Sequence, residues 1–299
     1  MSRRVLVAVA AALPLLLAPP TSGARHAKLH GNNFFSNCRF SHVATDDPIV
    51  YPGQPGHSHS HTFFGNTSTD ADSTLASLGA AATTCAVNAD KAAYWVPTLF
   101  LHGREVRPSK AQIYYVLRGY DTMRAFPPGL RVVAGDAHAT RAQPKNVTYW
   151  ACGGSAVRIR VSSTAPTCGD VFTRPNGFFN PCRKCAPQHL PAVTVKTFLE
   201  LHVDFPDCWD GRRLDSADHA SHMAYSRDYV CPRSHPVKVP LIRLTIRYPI
   251  TDGRDVELAS GGQLTGHADF FNGWNTRVLA TLVATCFHDR PCDPKKLAR

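Results

Sequence analysis

An alternation of apolar and polar residues with a period of two constrains the fold of this 299-residue chain more than any other feature. In PLIRLTIRYPI, residues 240–250, the apolar Ile242, Leu244 and Ile246 are separated by arginine and threonine residues. Successive side chains of a β-strand point to opposite faces of a sheet, whereas the pattern of a helix repeats every 3.6 residues. The segment therefore predicts a strand with one buried face.

Several other segments predict strands. FLELHVDF, residues 198–205, alternates in the same way, with Glu200, His202 and Asp204 on the face that we expect to be solvated. Further strand-like runs, each bounded by turn residues, are AYWVPTLFL from Ala93, AQIYYVL from Ala111, LRVVAG from Leu130 and VTYWAC from Val147. Many short strands with turns between them are typical of a β-sandwich or jelly roll.

We therefore expect a mainly β fold, a sandwich or jelly roll with long disulfide-tied loops. Long irregular connections are expected notably at residues 160–192. One or two short helices should accompany the strands. The Ala-rich residues 73–82 predict a helix whose N-cap is Asp72 or Ser73.

The N-terminus has the pattern of a secretory signal peptide. Arg3 and Arg4 precede an apolar run over residues 5–17, and small residues follow at 22–24. The run is shorter than the roughly 20 apolar residues of a membrane span, and no later segment approaches that length. We predict a signal peptide over residues 1–24 and one secreted domain over residues 25–299, with no membrane span after processing.

All ten cysteines lie in the predicted mature part. An even number of cysteines in an oxidising compartment predicts five disulfides. Short loops favour the pairs Cys286–Cys292 and Cys208–Cys231, and the other pairings stay open. The CRKC segment at residues 182–185 has metal binding as a minor alternative.

The charge of the chain bears on its partners. The formal net charge is +11, and loss of Arg3 and Arg4 with the signal peptide lowers it to +9. A basic exported protein favours anionic polymers such as acidic wall polysaccharides. We expect no nucleic-acid partner, because the basic residues form no long run and no binding motif is present. Asn66 and Asn146 begin glycosylation sequons.

The stretch PGHSHSHTFFGN, residues 55–66, carries His57, His59 and His61 at every second position. Histidines two apart on a strand share a face, with Cα atoms about 6.6 Å apart, so two imidazoles can converge on one zinc or copper ion. We take His59 and His61 as the ligand pair and His57 as a turn residue after Pro-Gly. The alternative is the solvated polar face of an edge strand.

A second histidine-rich segment, DHASHMAYSRDYVCPRSHP at residues 218–236, holds His219, His222 and His235. The first two are three apart and share one side of a helical turn, and a disulfide at Cys231 would hold His235 nearby. The alternative is that these histidines satisfy loop carbonyls.

A third segment, LTGHADFFNGW at residues 264–274, places His267 and Asp269 two apart. An imidazole with a carboxylate is a hydrolytic zinc ligand set, or a base with its orienting partner. Because three histidine-rich segments distant in sequence hold seven of the fifteen histidines, we expect them to meet at one divalent-metal site.

Paired carboxylates provide a competing hypothesis. FPDCWDG, residues 205–211, places Asp207 and Asp210 beside Trp209. A glycoside hydrolase stacks a sugar on an aromatic ring and uses two acids to cleave the glycosidic bond. Alternatively, the two acids fix a turn around a buried tryptophan. Other nucleophile motifs, such as G-x-S-x-G, H-E-x-x-H and the Walker loop, are absent from the sequence.

Taken together, seven stretches of the chain resemble a family of secreted bacterial and fungal proteins that share a domain of unknown function. In fungi this domain is often joined to sugar-binding WSC modules. The stretches are DDPIVYPGQPGHSHSHTFFGN, DKAAYWVPTL, FPPGLRVVAGD, FPDCWDG, LDSADHASHMAY, CPRSHPVKVP and GHADFFNGW. The resemblance implies one extracellular, β-rich domain and no assigned activity, and the CRKC segment is no part of the shared pattern.

Three functional hypotheses follow. In the first, a histidine-rich zinc or copper site acts on or binds cell-wall or other extracellular polysaccharide, with Asp269 or Asp210 as proton acceptor. In the second, a metal-free glycoside hydrolase uses Asp207 with Asp210 or Asp269. In the third, the protein binds wall material or sequesters metal without catalysis.

Overall fold

The computed structural model describes residues 28–120, 122–154, 158–173, 193–288 and 292–297. The predicted signal peptide and the CRKC segment lie outside these residues. Within them, two large antiparallel sheets dominate, which confirms the mainly β fold. No described helix is long and apolar enough to cross a membrane.

The larger sheet has six strands in the order β1-β7-β17-β13-β9-β10. Their bounds are β1 Leu29–Cys38, β7 Lys110–Tyr120, β17 Leu241–Arg247, β13 Phe198–Asp204, β9 Thr148–Gly153 and β10 Arg158–Ser162. Four of the six segments that the sequence predicts as strands lie here, namely those of β7, β9, β13 and β17.

The second sheet has five strands in the order β2-β3-β4-β19-β8. Their bounds are β2 Phe40–Ala44, β3 His61–Gly65, β4 Ala93–Pro97, β19 His267–Phe271 and β8 Arg131–Gly135. Three smaller sheets accompany them within the described residues. The first contains β18 Val256–Leu258, β5 Leu99–Leu101 and β6 Arg104–Glu105, in that order, and the second contains β15 Met223–Ala224, β14 Cys208–Trp209 and β16 Val237–Lys238. The third pairs β11 Asp170–Thr173 with β12 Val193–Lys196.

The main core lies between the two large sheets. Ile113 and Leu244 of the six-stranded sheet and Tyr94 and Phe270 of the five-stranded sheet are all fully buried in one apolar cluster. The architecture is therefore a β-sandwich. A second, smaller cluster, which includes Trp95, covers the opposite face of the five-stranded sheet.

The polar face of β13 differs from the sequence expectation. Glu200, His202 and Asp204 are only 3%, 0% and 3% exposed instead of solvated. Cross-strand partners on β17 explain this burial: Arg247 and Arg243 donate to the two carboxylates, and the His202 ring contacts the Thr245 hydroxyl at 3.0 Å. A buried carboxylate that is paired avoids most of the cost of burial.

The described residues contain three helices, one more than expected: α1 Leu75–Ala80, α2 Thr276–Cys286 and α3 Pro294–Leu297. Thr74, and not Asp72 or Ser73, is the N-cap of α1, because its hydroxyl accepts from the Ser77 amide in a capping box. Helix α2 was not predicted from the sequence.

Four disulfides lie within the described residues. They join Cys38 to Cys85, Cys152 to Cys168, Cys208 to Cys231 and Cys286 to Cys292. The last two confirm the pairs that the short loops favoured.

Candidate functional site

The register of the five-stranded sheet brings two of the histidine-rich segments together. Strand β4 lies between β3 and β19, with His61 opposite Pro97 and Trp95 opposite Asp269. Because residues two apart share a face, His61, Asp269 and His267 project from the same side of the sheet, away from the main core. The site is thus built on three adjacent strands.

Three imidazoles converge on this face. His59, which lies just before β3, and His61 and His267 each offer a ligand atom, and these atoms lie within 4.8 Å of one another. The Nε2 atoms of His59 and His267 are 3.2 Å apart, and the rings of His59 and His61 are 4.2 Å apart between centroids. His57 is exposed in the preceding turn and does not belong to this group.

Backbone carbonyls orient two of the rings. Nδ1 of His61 lies 3.0 Å from the Asp46 carbonyl oxygen, and Nδ1 of His267 lies 2.9 Å from that of Thr265. A carbonyl only accepts, so both Nδ1 atoms carry the proton and the two Nε2 atoms present lone pairs. Metal-ligating histidines ordinarily donate their other ring N–H to a carbonyl or carboxylate oxygen in this way.

Two aspartates adjoin the imidazoles. Asp47, His61 and Asp269 form a second group of ligand atoms within 4.8 Å of one another. Oδ1 of Asp47 accepts from the amides of Ile49 and Val50 at 2.9 Å. Both carboxylate oxygens of Asp269 are buried and have no hydrogen-bond partner among the described residues, and the same holds for Nε2 of His61.

We call His59, His61, His267, Asp47 and Asp269 the histidine–aspartate cluster. Burial lowers the pKa of His61 well below its ordinary value and that of His267 to about 4, and it also lowers the pKa of His59. The rings are consequently neutral at pH 7, which is the form that binds a metal. Burial, aided by the charge of Asp47, raises the pKa of Asp269 well above 3.8.

The donor set of the cluster suits a particular class of ion. Imidazole nitrogens with one or two carboxylate oxygens are typical ligands of zinc and copper, whereas calcium and magnesium prefer oxygen ligands alone. The residues therefore fit a zinc or copper ion.

One side of the cluster is open to solvent. His59 is partly exposed, whereas His61, His267 and Asp269 are buried. The exposed His138, in the loop after β8, is close enough to His59 and His267 to lower their pKa values by charge repulsion. Neither His138 nor Asp47 is among the sequence-predicted site residues.

The histidines of the second histidine-rich segment make their hydrogen bonds in loops, and one of them, His219, is close enough to Asp47 for its charge to oppose the rise in the pKa of Asp47 that burial causes. His222 is fully buried, with Nε2 2.6 Å from the Arg131 carbonyl oxygen. Nε2 of His235 lies 3.1 Å from the Ser221 carbonyl oxygen, and the ring of His219 contacts Asp215 at 3.0 Å. The structure does not bring these three rings into the histidine–aspartate cluster.

The two carboxylates beside Trp209 have different partners. Asp207 is buried and binds the Ser226 amide at 2.8 Å and the Lys238 ammonium. Partial burial of Asp210 would raise its pKa, but hydrogen bonds from Arg213 and its neighbour lower the pKa to about 2. Asp207 lines a pocket to which Asp210 does not contribute. These two acids thus have different surroundings.

One of the comparisons with known proteins identifies the family of the chain. A family model described as a domain of unknown function, DUF1996, matches residues 47–274, more than half of the chain, and spans every residue of the histidine–aspartate cluster. No curated protein and no solved structure matches the chain. The match confirms that the chain belongs to a family of domains of unknown function, whereas secretion, the shared motifs and the link to WSC modules stay predictions.

Proposed function

The chain belongs to the DUF1996 family of domains of unknown function, and on that premise we propose that it is a secreted protein that binds one zinc or copper ion through His59, His61 and His267. Asp269 would complete or orient the ligand set. With this ion, the protein would act on an extracellular or cell-wall polysaccharide.

One observation carries the proposal. The buried polar atoms without partners in the cluster are Nε2 of His61 and both oxygens of Asp269, and they adjoin the lone pair of His267. With Asp269 ionised, all of these atoms are acceptors. Leaving a buried polar atom unpaired costs about 1–3 kcal/mol, and a buried carboxylate costs more. A divalent cation would satisfy all of these acceptors at once.

The exposed side of the cluster supports a catalytic role. A catalytic zinc site keeps one coordination position open, whereas a structural site is closed by protein ligands. A bound divalent ion supplies Lewis acidity and lowers the pKa of a coordinated water. His59 and the exposed His138 lie on the side from which a polymer would approach. The basic charge of the chain would favour acidic wall polymers.

The metal-free glycoside hydrolase has less support. Its acids must reach a glycosidic bond, but Asp47 and Asp269, the two carboxylates that do adjoin each other, are only 4% and 1% exposed. Asp207 is likewise 3% exposed and paired with Lys238.

A second candidate is metal sequestration without turnover. Burial favours it, because four of the five cluster residues are at most 4% exposed. A site so enclosed leaves little room for a large substrate to contact the ion directly.

Activity on wall polysaccharide distinguishes these candidates. The protein would be stripped with chelator, reconstituted with zinc or copper, and incubated with a panel of wall polysaccharides, and the soluble products would be identified by mass spectrometry. We expect products only from the reconstituted protein, none from the His59→Ala/His61→Ala variant, and undiminished release from His235→Ala, whose ring lies outside the cluster. Bound metal without products from any polysaccharide would favour sequestration and contradict the catalytic role.

A further inference from the structure

A pocket of about 590 Å³ lies on the outer face of the six-stranded sheet, opposite the main core. Its floor is formed by Tyr114 of β7, Arg243 of β17 and Asp204 of β13, which are neighbours across the sheet. Its wall is the loop that carries Tyr225 and Tyr229. The histidine–aspartate cluster lies on the outer face of the other sheet, so the pocket is a separate feature.

The wall is held in place by its own contacts with the rest of the molecule. The Tyr225 hydroxyl donates to the Asp204 carbonyl at 2.8 Å, and the Ser226 amide and hydroxyl donate to the Asp207 carboxylate at 2.8 Å. The Cys208–Cys231 disulfide holds the far end of the loop. A ligand would therefore enter a pocket that is already formed, and little binding energy would be lost in ordering it.

The tip of this loop is an unusual turn. Arg227 and Val230 exchange backbone hydrogen bonds at 3.0 and 2.8 Å, and the two residues between them, Asp228 and Tyr229, have φ of 50° and 65°. A two-residue turn with positive φ at both positions is ordinarily made by Asn-Gly. A tyrosine is disfavoured in the left-handed region, and such residues concentrate at binding sites. The strained conformation keeps Tyr229 on the pocket, 39% exposed.

The charges of the pocket are balanced. Arg243 donates to Asp204 from two nitrogens, and Lys238 pairs with Asp207 at the margin. Each pair presents donors and acceptors side by side, and Arg118 and Asp228, which also line the pocket, add one charge of each sign, so the pocket has no strong field of either sign. This pattern suits a neutral ligand with many hydroxyl groups better than an anion, because the carboxylates of the pocket offset its cations.

We propose that this tyrosine-lined pocket binds a neutral saccharide, with Tyr229 stacked on a sugar ring and the Asp204–Arg243 pair bonded to ring hydroxyls. Aromatic side chains combine a large apolar face with a polar edge, which matches a sugar ring. The site needs no metal ion and goes beyond the proposed metal function. It would hold the protein on a glycan while the opposite face stays accessible.

Calorimetric titration of chelator-treated protein tests this proposal independently of the metal. The protein would be made in a bacterial host, so that Asn146 at the pocket rim carries no glycan. The probes are soluble oligosaccharides of glucan, mannan and chitin, with oligogalacturonate as the anionic probe. We expect saturable binding of at least one neutral probe, weaker binding of oligogalacturonate, and the same affinity in the His59→Ala/His61→Ala variant.

Three variants locate the site. Tyr229→Gly fits the left-handed turn, so its melting temperature should be equal to or above that of the wild type, yet its affinity for the neutral probe should fall about tenfold or more. Tyr229→Phe should retain binding. Tyr120→Ala, which removes a similarly exposed tyrosine outside the pocket, should leave the affinity unchanged. The proposal is overturned if no neutral probe binds, if only oligogalacturonate binds, or if folded Tyr229→Gly binds as well as the wild type.

Discussion

Replacement of Asp269 by asparagine should stabilise the chelated protein but reduce the stability that bound zinc or copper adds. Both oxygens of Asp269 are buried without a hydrogen-bond partner among the described residues. An acid whose pKa is raised on folding keeps a proton that the unfolded chain releases, so stability falls as the pH rises above the ordinary value of 3.8. At pH 7 the raised pKa reduces the free energy of unfolding by at most about 4 kcal/mol, because each pH unit above 3.8 contributes about 1.4 kcal/mol.

The amide of asparagine is nearly isosteric with the carboxyl group but does not ionise. Its own burial cost is similar to that of a neutral carboxyl group, so Asp269→Asn should stabilise the chelated protein by about 1–4 kcal/mol. For a domain of this size, each kcal/mol raises the melting temperature by about 2–4 °C. The variant should therefore unfold at a higher temperature than the wild type in chelator.

Zinc should reverse this advantage in part. A ligand at 100 times its Kd stabilises the wild type by about 2.7 kcal/mol. Loss of a ligand-shell carboxylate weakens metal binding by about 10–100-fold, which reduces the gain of the variant at the same zinc concentration to about 0.4–1.4 kcal/mol.

Differential scanning fluorimetry at pH 7, in chelator and then at increasing zinc or copper, measures both effects. Asp90→Asn is the matched control: Asp90 is also fully buried, but it accepts hydrogen bonds from the Tyr94 hydroxyl and the Ala92 amide, away from the cluster. Its metal-induced shift should equal that of the wild type. Equal metal-induced shifts in Asp269→Asn and the wild type, or a less stable variant in chelator, would refute the reasoning.

Further predictions concern pH, backbone and glycosylation. Burial raises the pKa of Asp90 to about 7. The wild type should therefore lose stability relative to Asp90→Asn as the pH rises from about 4 to 7, by at most about 4 kcal/mol. If denaturant titrations give the same difference in free energy of unfolding between the two proteins at every pH in this range, the prediction is contradicted. Gly135 has φ of 84°, and an added Cβ would lie 2.6 Å from the backbone oxygen of Gly266, next to His267. Gly135→Ala should therefore displace His267 and weaken zinc binding about tenfold or more. Competition with a chromophoric chelator measures this loss. Gly103→Ala has a similar φ penalty but no atom within 4 Å of its Cβ, and should bind zinc normally. In a eukaryotic host, peptide mass spectrometry should find glycan on the exposed Asn146 and none on Asn66, whose amide nitrogen is buried and donates to two carbonyls.

The periodic part of the fold was predictable because strand alternation is a local property. The alternation at residues 240–250 locates β17, and the spacing of His59 and His61 predicts that their rings lie on one side. By contrast, the burial of Glu200, His202 and Asp204 was not predictable, because the residues that compensate it, Arg247, Thr245 and Arg243, belong to another strand, 39–47 residues away.

The candidate site was predictable only in part for the same reason. The cluster forms because β4 lies between β3 and β19, and strand order depends on contacts between distant residues. Asp47 lies in a turn and has no periodic signal. His222 and His235 each follow a serine, as His59 does. Only the carbonyl oxygens that their rings contact in the structure show that they satisfy loop carbonyls, which the sequence left as an alternative.

The metal content of the untagged protein tests the central claim most directly. Elemental analysis by mass spectrometry, on protein secreted by its own N-terminal segment and purified without a histidine tag, should give one zinc or copper per chain. The His59→Ala/His61→Ala variant should remain folded and contain none, while His235→Ala should retain the full amount. A wild-type protein that contains no metal and takes up neither zinc nor copper at neutral pH, or a double variant that keeps its metal, would contradict the assignment of the histidine–aspartate cluster as a metal site.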